Sequence, residues 1–443
     1  MGLFVVYNGS KYVCDLKQGI ALSNDQAGES ASTKVRIVHL ADHTGKLQVI
    51  FPYDSMLDMA ALSRLTKRRF DPVANYNIDG DPLVKPSTCP TLIDSELLNS
   101  EFIELRSHSQ QNYKTIPLEE FKARFQGPLA RYESLAIPVK SIPKAAESID
   151  GDVDQLFQAL GKFQAVRLKQ RIEETLEIPP LPASSHRIIQ LCGNDHAGTD
   201  DLCDVINLDP SLSAQVISWA SSPYYGVKGE IESVEDAIIR VLGFDMVMNL
   251  ALGLSMGNAF QLPQDGPRHY EDFWYSAVSH AVLMEALVRK MPSGQRPRLG
   301  HAYLAGLLHN FGYLTISVVL PPHFAILSRY IEANAHLPAD VIEMQTLRFT
   351  KEQLGAWLLK HWGLPESIYT GIRYSRTADY RGAHDGIANL LYLAHQLFNG
   401  DDLNATLLEK VNIAHDDALA CYKKVMSSSK ELMTMVDLIS GQK

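Results

Sequence analysis

The chain has 443 residues, a formal net charge of −10 at pH 7, 46% hydrophobic residues and 21% charged residues. This length accommodates two or three domains that each bury a core, and the negative charge argues mildly against a protein that coats nucleic acid. Five scattered cysteines without a Cys-x-x-Cys spacing indicate neither a disulfide framework nor a cysteine zinc site.

The amino terminus does not match a secretory signal, because no positive charge precedes its short apolar run. The most apolar windows, Val241–Met256 and Tyr303–Leu320, are interrupted by Asp245 and Asn249 in the first and by a His-Asn pair in the second. A membrane span requires about 20 nearly pure apolar residues. We therefore expect no membrane-spanning helix and a cytoplasmic location.

The amino-terminal third alternates strand and helix patterns. Lys34–Phe51 indicates two strands around an Asp-His-Thr-Gly turn, because apolar and β-branched residues flank the turn formers. A helix capped by Ser55 is expected to continue to Phe70, followed by a strand near Phe102–Leu105 and a helix over Ile116–Phe125. These elements predict a mixed α/β domain.

The phrases KLQVIFPYDSMLDMAAL and CPTLIDSELL, in this order, resemble the bacterial aminoacyl-tRNA deacylases of the YbaK type over about residues 5–128. The resemblance implies a mixed α/β fold that hydrolyses misacylated tRNA. It places the lysine on which the family's activity depends at Lys34, or at Arg36 if the alignment is shifted by two residues. The loop Gly80–Pro90 fits the family only approximately. We prefer the alternative that this domain is a folded module without chemistry.

Polar, helix-favouring sequence from about residue 140 to residue 177 predicts a connecting helix with a modest apolar stripe at Leu156, Leu160 and Phe163. Three prolines within Ile178–Ser185 end this helix, since proline lacks the backbone N–H that a helix interior requires. The pattern is then helical almost to the end. Asp209, for example, is a candidate cap before a proline in the first helical turn.

One later stretch is apolar on both helical faces. Leu304, Leu307, Leu308 and Phe311 recur at the spacing of one helix face, which predicts a single buried helix over residues 304–314. The polar pair His309-Asn310 lies in the middle of this predicted helix.

Six ordered segments over about residues 172–376 resemble the HDOD domain, an all-helical module related to HD-type metal-dependent phosphohydrolases. The segments are IPPLPAS, LDPSLSAQVISWASSPYYG, SVEDAIIRVLGFDMVMNLAL, FWYSAVSHAVLMEALV, LAGLLHNFGYL and LGAWLLKHWGLPESI. The resemblance implies a helical bundle of a kind generally regarded as a non-catalytic bacterial signalling module.

An HD phosphohydrolase needs imidazole and carboxylate ligands that converge on divalent metal. The resemblance places the corresponding positions of this chain at Ser276, His309, Asn310, Lys351, Ser375, Arg376 and His395. Among them His309 alone keeps the expected ligand; the Asn310 amide is neutral, and the Lys351 ammonium repels a cation. The prediction is a pocket without metal or cofactor, in which Ser276 and Ser375 satisfy the polar groups of the His-Asn pair.

Substitute ligands are the alternative to this metal-free pocket. His280 lies one turn after Ser276, and His301 lies two turns before His309. The dipeptides His384-Asp385 and His415-Asp416 fall outside the expected helix, and we attribute them to chance.

The predicted organisation is a YbaK-like α/β domain over residues 1–135, a connecting helix over 136–176, an all-helical HDOD domain over 177–400 and carboxyl-terminal helices over 401–443. The predicted function is that of a non-catalytic bacterial signalling or scaffold protein that binds protein or ligand through a metal-free HDOD domain. Two alternatives stay open: a tRNA deacylase regulated by the HDOD domain, and a metal-dependent nucleotide phosphohydrolase. The expected partners are signalling proteins, tRNA through the amino-terminal domain, and a second copy of the chain.

Overall fold

A computed structural model of the protein describes residues 5–7, 10–12, 32–73, 89–106, 113–162, 182–192, 194, 196–257 and 270–440. The chain divides into two compact units. The described residues up to Lys144, together with Ala325–Leu347, form unit 1, whereas Ala145–Phe324 and the residues from Arg348 onward form unit 2. Some predictions lie outside the described residues, namely those for residues 80–88, 163–176 and 178–181.

Unit 1 is built on a mixed sheet. Its strands are β1 (Val5–Tyr7), β2 (Ser10–Tyr12), β3 (Ser32–Asp42), β4 (Gly45–Pro52), β5 (Ser55–Leu57), β6 (Asp71–Pro72), β7 (Thr91–Asp94), β8 (Phe102–Arg106), β9 (Tyr113–Pro117), β10 (Ala130–Glu133) and β11 (Ala136–Pro138). In the described part, seven strands form one sheet in the order β10-β7-β4-β3-β8-β9, with β6 also paired to β3. The pairs β3–β4 and β8–β9 are antiparallel, whereas β3–β8, β4–β7 and β7–β10 are parallel. The predicted α/β character is confirmed.

The hairpin of β3 and β4 turns at Asp42–Gly45, as the turn residues predict. Asp42 accepts hydrogen bonds from the backbone N–H groups of Thr44 and Gly45, which is the Asx-turn chemistry of this residue type. Apolar residues on both sheet faces are buried, among them Val49 on one face and Ile50 on the other. The sheet therefore has a core on each side.

The helices of unit 1 are α1 (Met59–Thr66), α2 (Leu118–Arg124) and the parts of α12 (Pro321–Ala333) and α13 (Ala339–Thr346) that lie in Ala325–Leu347. The predicted Ser55 cap is wrong, because Ser55 lies in β5 and the Asp58 side chain accepts from the N–H groups of the first turn of α1. Asn334, after α12, exchanges hydrogen bonds with the backbone of Leu57 at 2.7 and 3.2 Å. This attachment of a late helical segment to β5, which pairs with β11, was not predicted.

Unit 2 is helical throughout its described part. Its helices are α3 (Ile149–Lys162), α4 (Ala183–Cys192), α5 (Thr199–Asn207), α6 (Pro210–Ala220), α7 (Val234–Asp236, continued by a π-helix over Ala237–Leu242), α8 (Phe244–Gly257), α9 (Tyr270–Lys290), α10 (Leu299–Leu308), α11 (Phe311–Val319), α14 (Lys351–His361), α15 (Glu366–Arg373), α16 (Asp385–Asn399), α17 (Ala405–Val411), α18 (His415–Ser427) and α19 (Ser429–Ser440). The predicted Asp209 cap is confirmed, since its side chain accepts from the N–H groups of Ser211 and Leu212.

The single helix predicted over residues 304–314 is wrong. His309 and Asn310 interrupt it, so that α10 ends at Leu308 and α11 begins at Phe311. Two glycines near the break permit close helix packing. A Cβ on Gly306 would lie 2.7 Å from Ala281 Cα of α9, and a Cβ on Gly312 would collide with the carbonyl oxygen of Lys351 in α14. These contacts bring α9, α10, α11 and α14 together around the break.

Among the described residues, Leu299–Val319 is long and apolar enough to cross a membrane. However, 83% of its most apolar window is buried inside the structure. The core helices of a globular domain pass the same test of length and composition, and this burial fits such a core.

Candidate functional site

The residues that the sequence analysis places at HD-pocket positions lie in five segments of unit 2. Ser276 lies on α9, His309 and Asn310 lie between α10 and α11, Lys351 opens α14, Ser375 and Arg376 follow α15, and His395 lies on α16. Asn310 donates to the Ser276 hydroxyl at 3.4 Å, as the hydrogen-bonded pocket predicts. The role predicted for Ser375 is not observed, because its buried hydroxyl has no hydrogen-bond partner among the described residues.

Three buried histidines, His280, His309 and His395, form the centre of the pocket, and we call them the histidine cluster. Each offers a ring nitrogen, and these atoms all lie within 4.8 Å of one another. His280 Nε2 is 3.3 Å from His395 Nδ1, and the rings of His280 and His309 stack with centroids 4.0 Å apart. The three residues are 5%, 2% and 7% exposed. They lie on α9, in the break between α10 and α11, and on α16.

Backbone carbonyls determine which ring nitrogens of the cluster carry protons. His280 Nδ1 lies 2.8 Å from the Ser276 carbonyl oxygen, and His309 Nδ1 lies 2.7 Å from that of Gly306. A carbonyl only accepts, so both Nδ1 atoms donate and both neutral rings keep a lone pair on Nε2. His395 Nδ1 then donates to His280 Nε2, while His395 Nε2 is buried without a hydrogen-bond partner among the described residues.

Burial keeps the three imidazoles neutral. Desolvation lowers the pKa of His280 to about 3. It also lowers the pKa values of His309 and His395 well below the usual range of histidine, and the nearby charges of Lys351 and Arg376 lower them further. The cluster is therefore in the protonation state that binds metal.

An ion-pair group of Lys351, Glu352 and Arg376 lies beside the histidine cluster. Lys351 Nζ is 2.6 Å from Glu352 Oε1 and donates to the His309 carbonyl oxygen at 3.3 Å. Arg376 Nε lies 3.4 Å from the same Glu352 oxygen. Burial raises the pKa of Glu352, but the two cations lower it more, so that the carboxyl stays ionised. Because Lys351 and Arg376 already neutralise this carboxylate, it is a poor ligand for a catalytic metal.

The other histidines weighed from the sequence lie elsewhere. His301 Nδ1 is 2.8 Å from the Ser367 hydroxyl, so this residue does not join the cluster. His384 lies 3.7 Å from Glu366, and His415 lies 3.5 Å from Asp416 in partly or fully exposed pairs. Of the two substitute ligands considered, the structure brings His280 alone to His309.

Sequence reasoning missed a second buried polar group of unit 2. Asp152 on α3 accepts hydrogen bonds from both Arg373 Nε and Nη2, and from Gln353 Nε2 at 2.6 Å. The sequence does indicate that Asp152 is buried. It precedes Leu156 by four residues and therefore lies on the apolar face of α3. The interaction anchors the connecting helix to α14 and α15.

Lys34, the deacylase candidate, lies in unit 1. It is exposed on β3, where it pairs in register with Glu104 of β8. Its carbonyl oxygen accepts from the backbone N–H of Tyr53 at 2.8 Å. Arg36, the other candidate, lies two residues further along the same strand, opposite Phe51.

The family model of the HDOD domain matches residues 178–378. The crystal structure of a "Putative signal transduction protein" from Marinobacter aquaeolei VT8 is 35% identical, with a TM-score of 0.83, over 92% of this chain and 94% of that one. An HDOD domain protein with unknown function from Geobacter sulfurreducens is 19% identical, with a TM-score of 0.51, over 65% of this chain and 99% of that one, and it shows the fold alone.

A curated relative, an uncharacterized protein of Treponema pallidum (strain Nichols), is 24% identical over 212 residues. The match covers 48% of this chain but only 40% of that relative. These comparisons support the HDOD prediction and do not support the YbaK-type assignment. The amino-terminal region is a mixed α/β domain of unspecified type.

Proposed function

This chain belongs to the HDOD domain family, and from that premise we propose that it is a signalling protein that acts by binding rather than by catalysis. The observation that carries the proposal is the ion-pair group of Lys351, Glu352 and Arg376, in which the Lys351 and Glu352 side chains are buried. A phosphohydrolase at this place would direct carboxylates at metal and leave a position open for water and substrate. Here an ammonium group and a guanidinium group hold the carboxylate instead.

Access to the pocket supports the same conclusion. His309 is 2% exposed, and Lys351 beside it is equally buried. A phosphate ester has to reach the metal and its bound water to be hydrolysed, and side chains buried to this degree leave it no route. The nucleotide phosphohydrolase alternative is therefore disfavoured by both charge and burial.

The proposal extends to the organisation and partners of the protein. We assign the binding of partners to the helical bundle over residues 177–400. The other parts of the proposed organisation are the α/β domain over 1–135, the connecting helix over 136–176 and the carboxyl-terminal helices over 401–443. The Marinobacter relative, whose name refers to signal transduction, matches over nearly the whole of both chains and supports this arrangement. The proposed partners are proteins of a cytoplasmic signalling pathway, a second copy of this chain included.

We expect purified full-length protein not to hydrolyse bis-p-nitrophenyl phosphate or cyclic dinucleotides in the presence of Mg²⁺, Mn²⁺ or Zn²⁺. A protein partner is expected to copurify at fixed stoichiometry from the native cells. Measured turnover above the metal-only blank that disappears in His309→Ala would contradict the proposal. If no protein copurifies at fixed stoichiometry, the proposal that this protein acts by binding a partner would be contradicted.

The second candidate function is aminoacyl-tRNA deacylation by unit 1, with tRNA as a partner. The observation that favours it is the exposure of Lys34 on the strand before the hairpin turn, where a substrate can reach its ammonium group.

If this second function is correct, Lys34→Ala abolishes hydrolysis of misacylated tRNA by the purified protein. Lys46→Ala is the matched control, because Lys46 is an exposed lysine on β4 of the same hairpin and is expected to keep the rate unchanged. No detectable hydrolysis by the wild-type protein would rule out this candidate.

A further inference from the structure

We propose that the histidine cluster is a binding site for one divalent transition-metal ion, held by Nε2 of His280, Nε2 of His309 and Nδ1 of His395. This inference goes beyond the proposed binding function, because it identifies an inorganic ligand inside the bundle. It also replaces the metal-free pocket that the sequence alone predicts. Its failure would leave the proposed signalling function intact.

The spacing of two of the nitrogens fits a tetrahedral ion. Zinc–imidazole bonds of about 2.0–2.1 Å place two coordinating nitrogens roughly 3.3–3.4 Å apart. His280 Nε2 and His395 Nδ1 are 3.3 Å apart, and each of the three residues offers a ring nitrogen within 4.8 Å of those of the other two. The His309 ring, which stacks on His280, has to rotate and approach for its nitrogen to join the other two.

Two of the three rings make the second hydrogen bond that metal-ligating histidines make. Ligating histidines almost always direct their other ring nitrogen at a carbonyl or carboxylate, which fixes the tautomer. The carbonyl oxygens of Ser276 and Gly306 do this for His280 and His309. His395 reaches the ligating form by carrying its proton on Nε2 instead of Nδ1, a change between neutral tautomers that releases no proton but leaves this buried N–H without a hydrogen-bond partner among the described residues.

Ligand chemistry selects the class of metal. Three neutral imidazoles favour zinc, nickel, copper or cobalt, whereas magnesium and calcium prefer oxygen ligands. The hydrogen bonds of the two Nδ1 atoms to backbone carbonyls leave a lone pair on Nε2 of His280 and of His309 for an incoming ion. Lys351, Arg376 and Glu352 together add one positive charge, which weakens the binding without removing a ligand.

Burial also indicates what the ion does. With its three ligands at most 7% exposed, it is closed to a phosphate substrate and joins α9, the α10–α11 break and α16 instead. Such an ion stabilises one packing of these segments. The site is therefore structural or metal-sensing rather than catalytic.

The test uses full-length protein stripped with a chelator and titrated with Zn²⁺ against a chromophoric competitor. We expect one equivalent to bind to the wild-type protein, and the affinity to fall by at least about 10-fold in His280→Ala and in His309→Ala. His301→Ala is the matched control, because it removes a largely buried histidine of unit 2 that lies outside the cluster. Mg²⁺ is expected not to compete.

A second measurement does not depend on the folding of the variants. Co²⁺ bound to the wild-type protein is expected to show the intense visible absorption of a tetrahedral or five-coordinate site with nitrogen ligands. The weak spectrum of the hydrated ion, no bound Zn²⁺ in the titration, or equal affinity in the wild type and in folded His280→Ala and His309→Ala would overturn the proposal. The hydrolysis assay described above is independent of these outcomes.

Discussion

Asp152→Ala is expected to destabilise unit 2 by about 3–5 kcal/mol, because it leaves a buried guanidinium group without its counter-charge. Asp152 is 2% exposed and Arg373 is 6% exposed. The carboxylate accepts from Arg373 Nη2 at 2.7 Å and from Gln353 Nε2 at 2.6 Å. The measurement is urea denaturation followed by circular dichroism, in which the transition of unit 2 shifts to lower denaturant. Limited proteolysis should then cut near α3 more readily.

Asp154→Ala is the matched control for this prediction. Asp154 is exposed on the same helix, two residues further along, so that the substitution removes an equal charge without breaking the buried pair. We expect a change within about 0.5 kcal/mol. An equal loss of stability in the two variants would show that helix composition, rather than the contact with Arg373, holds α3 in place.

The elements that were predicted well are those whose signals are local. The β3–β4 turn depends on Asp42 and its own neighbours, and the start of α6 depends on Asp209 and the proline that follows it. Such turns and caps are satisfied within a few residues, so the sequence around them carries nearly all the information needed. The division into an α/β region and a helical region follows from the same local periodicities.

Predictions failed where a distant partner decides the outcome. The apolar pattern over residues 304–314 continues unbroken, yet α10 and α11 separate at His309, whose ring enters a pocket formed by α9 and α16. Likewise, nothing in the sequence near Asn334 indicates that its amide bonds to the backbone of Leu57. Periodicity identifies a buried face but not the element that covers it.

The candidate site illustrates the same limit. Family spacing identified His309 and His395 individually, but the role of His280 depends on the rotation of α9 that turns it toward both. His301 looked equally suitable in the sequence, and it instead bonds to the Ser367 hydroxyl. Convergence of side chains from separate helices is a property of packing, so it becomes visible only when the helices are assembled.

The free energy of unfolding is expected to fall steeply as the pH is lowered through the window from about 6.5 to about 5, in buffer that contains a chelator. An unfolded histidine has a pKa of about 6.5. In the folded protein, burial lowers the pKa of His280 to about 3 and those of His309 and His395 well below the usual range. In this window the unfolded state therefore binds more protons, and stability rises with pH.

Toward the lower end of this window, each such histidine approaches a slope of about 1.36 kcal/mol per pH unit, so the three together approach about 4 kcal/mol per pH unit. His309→Gln removes one of these groups and should lower the slope by about one third of that contribution, as measured by urea denaturation at several pH values. His186→Gln is the control, because His186 is exposed on α4 and should leave the slope unchanged. A slope that stays the same in His309→Gln would mean that the buried cluster accepts protons while folded, and neutral imidazoles would then no longer describe the site.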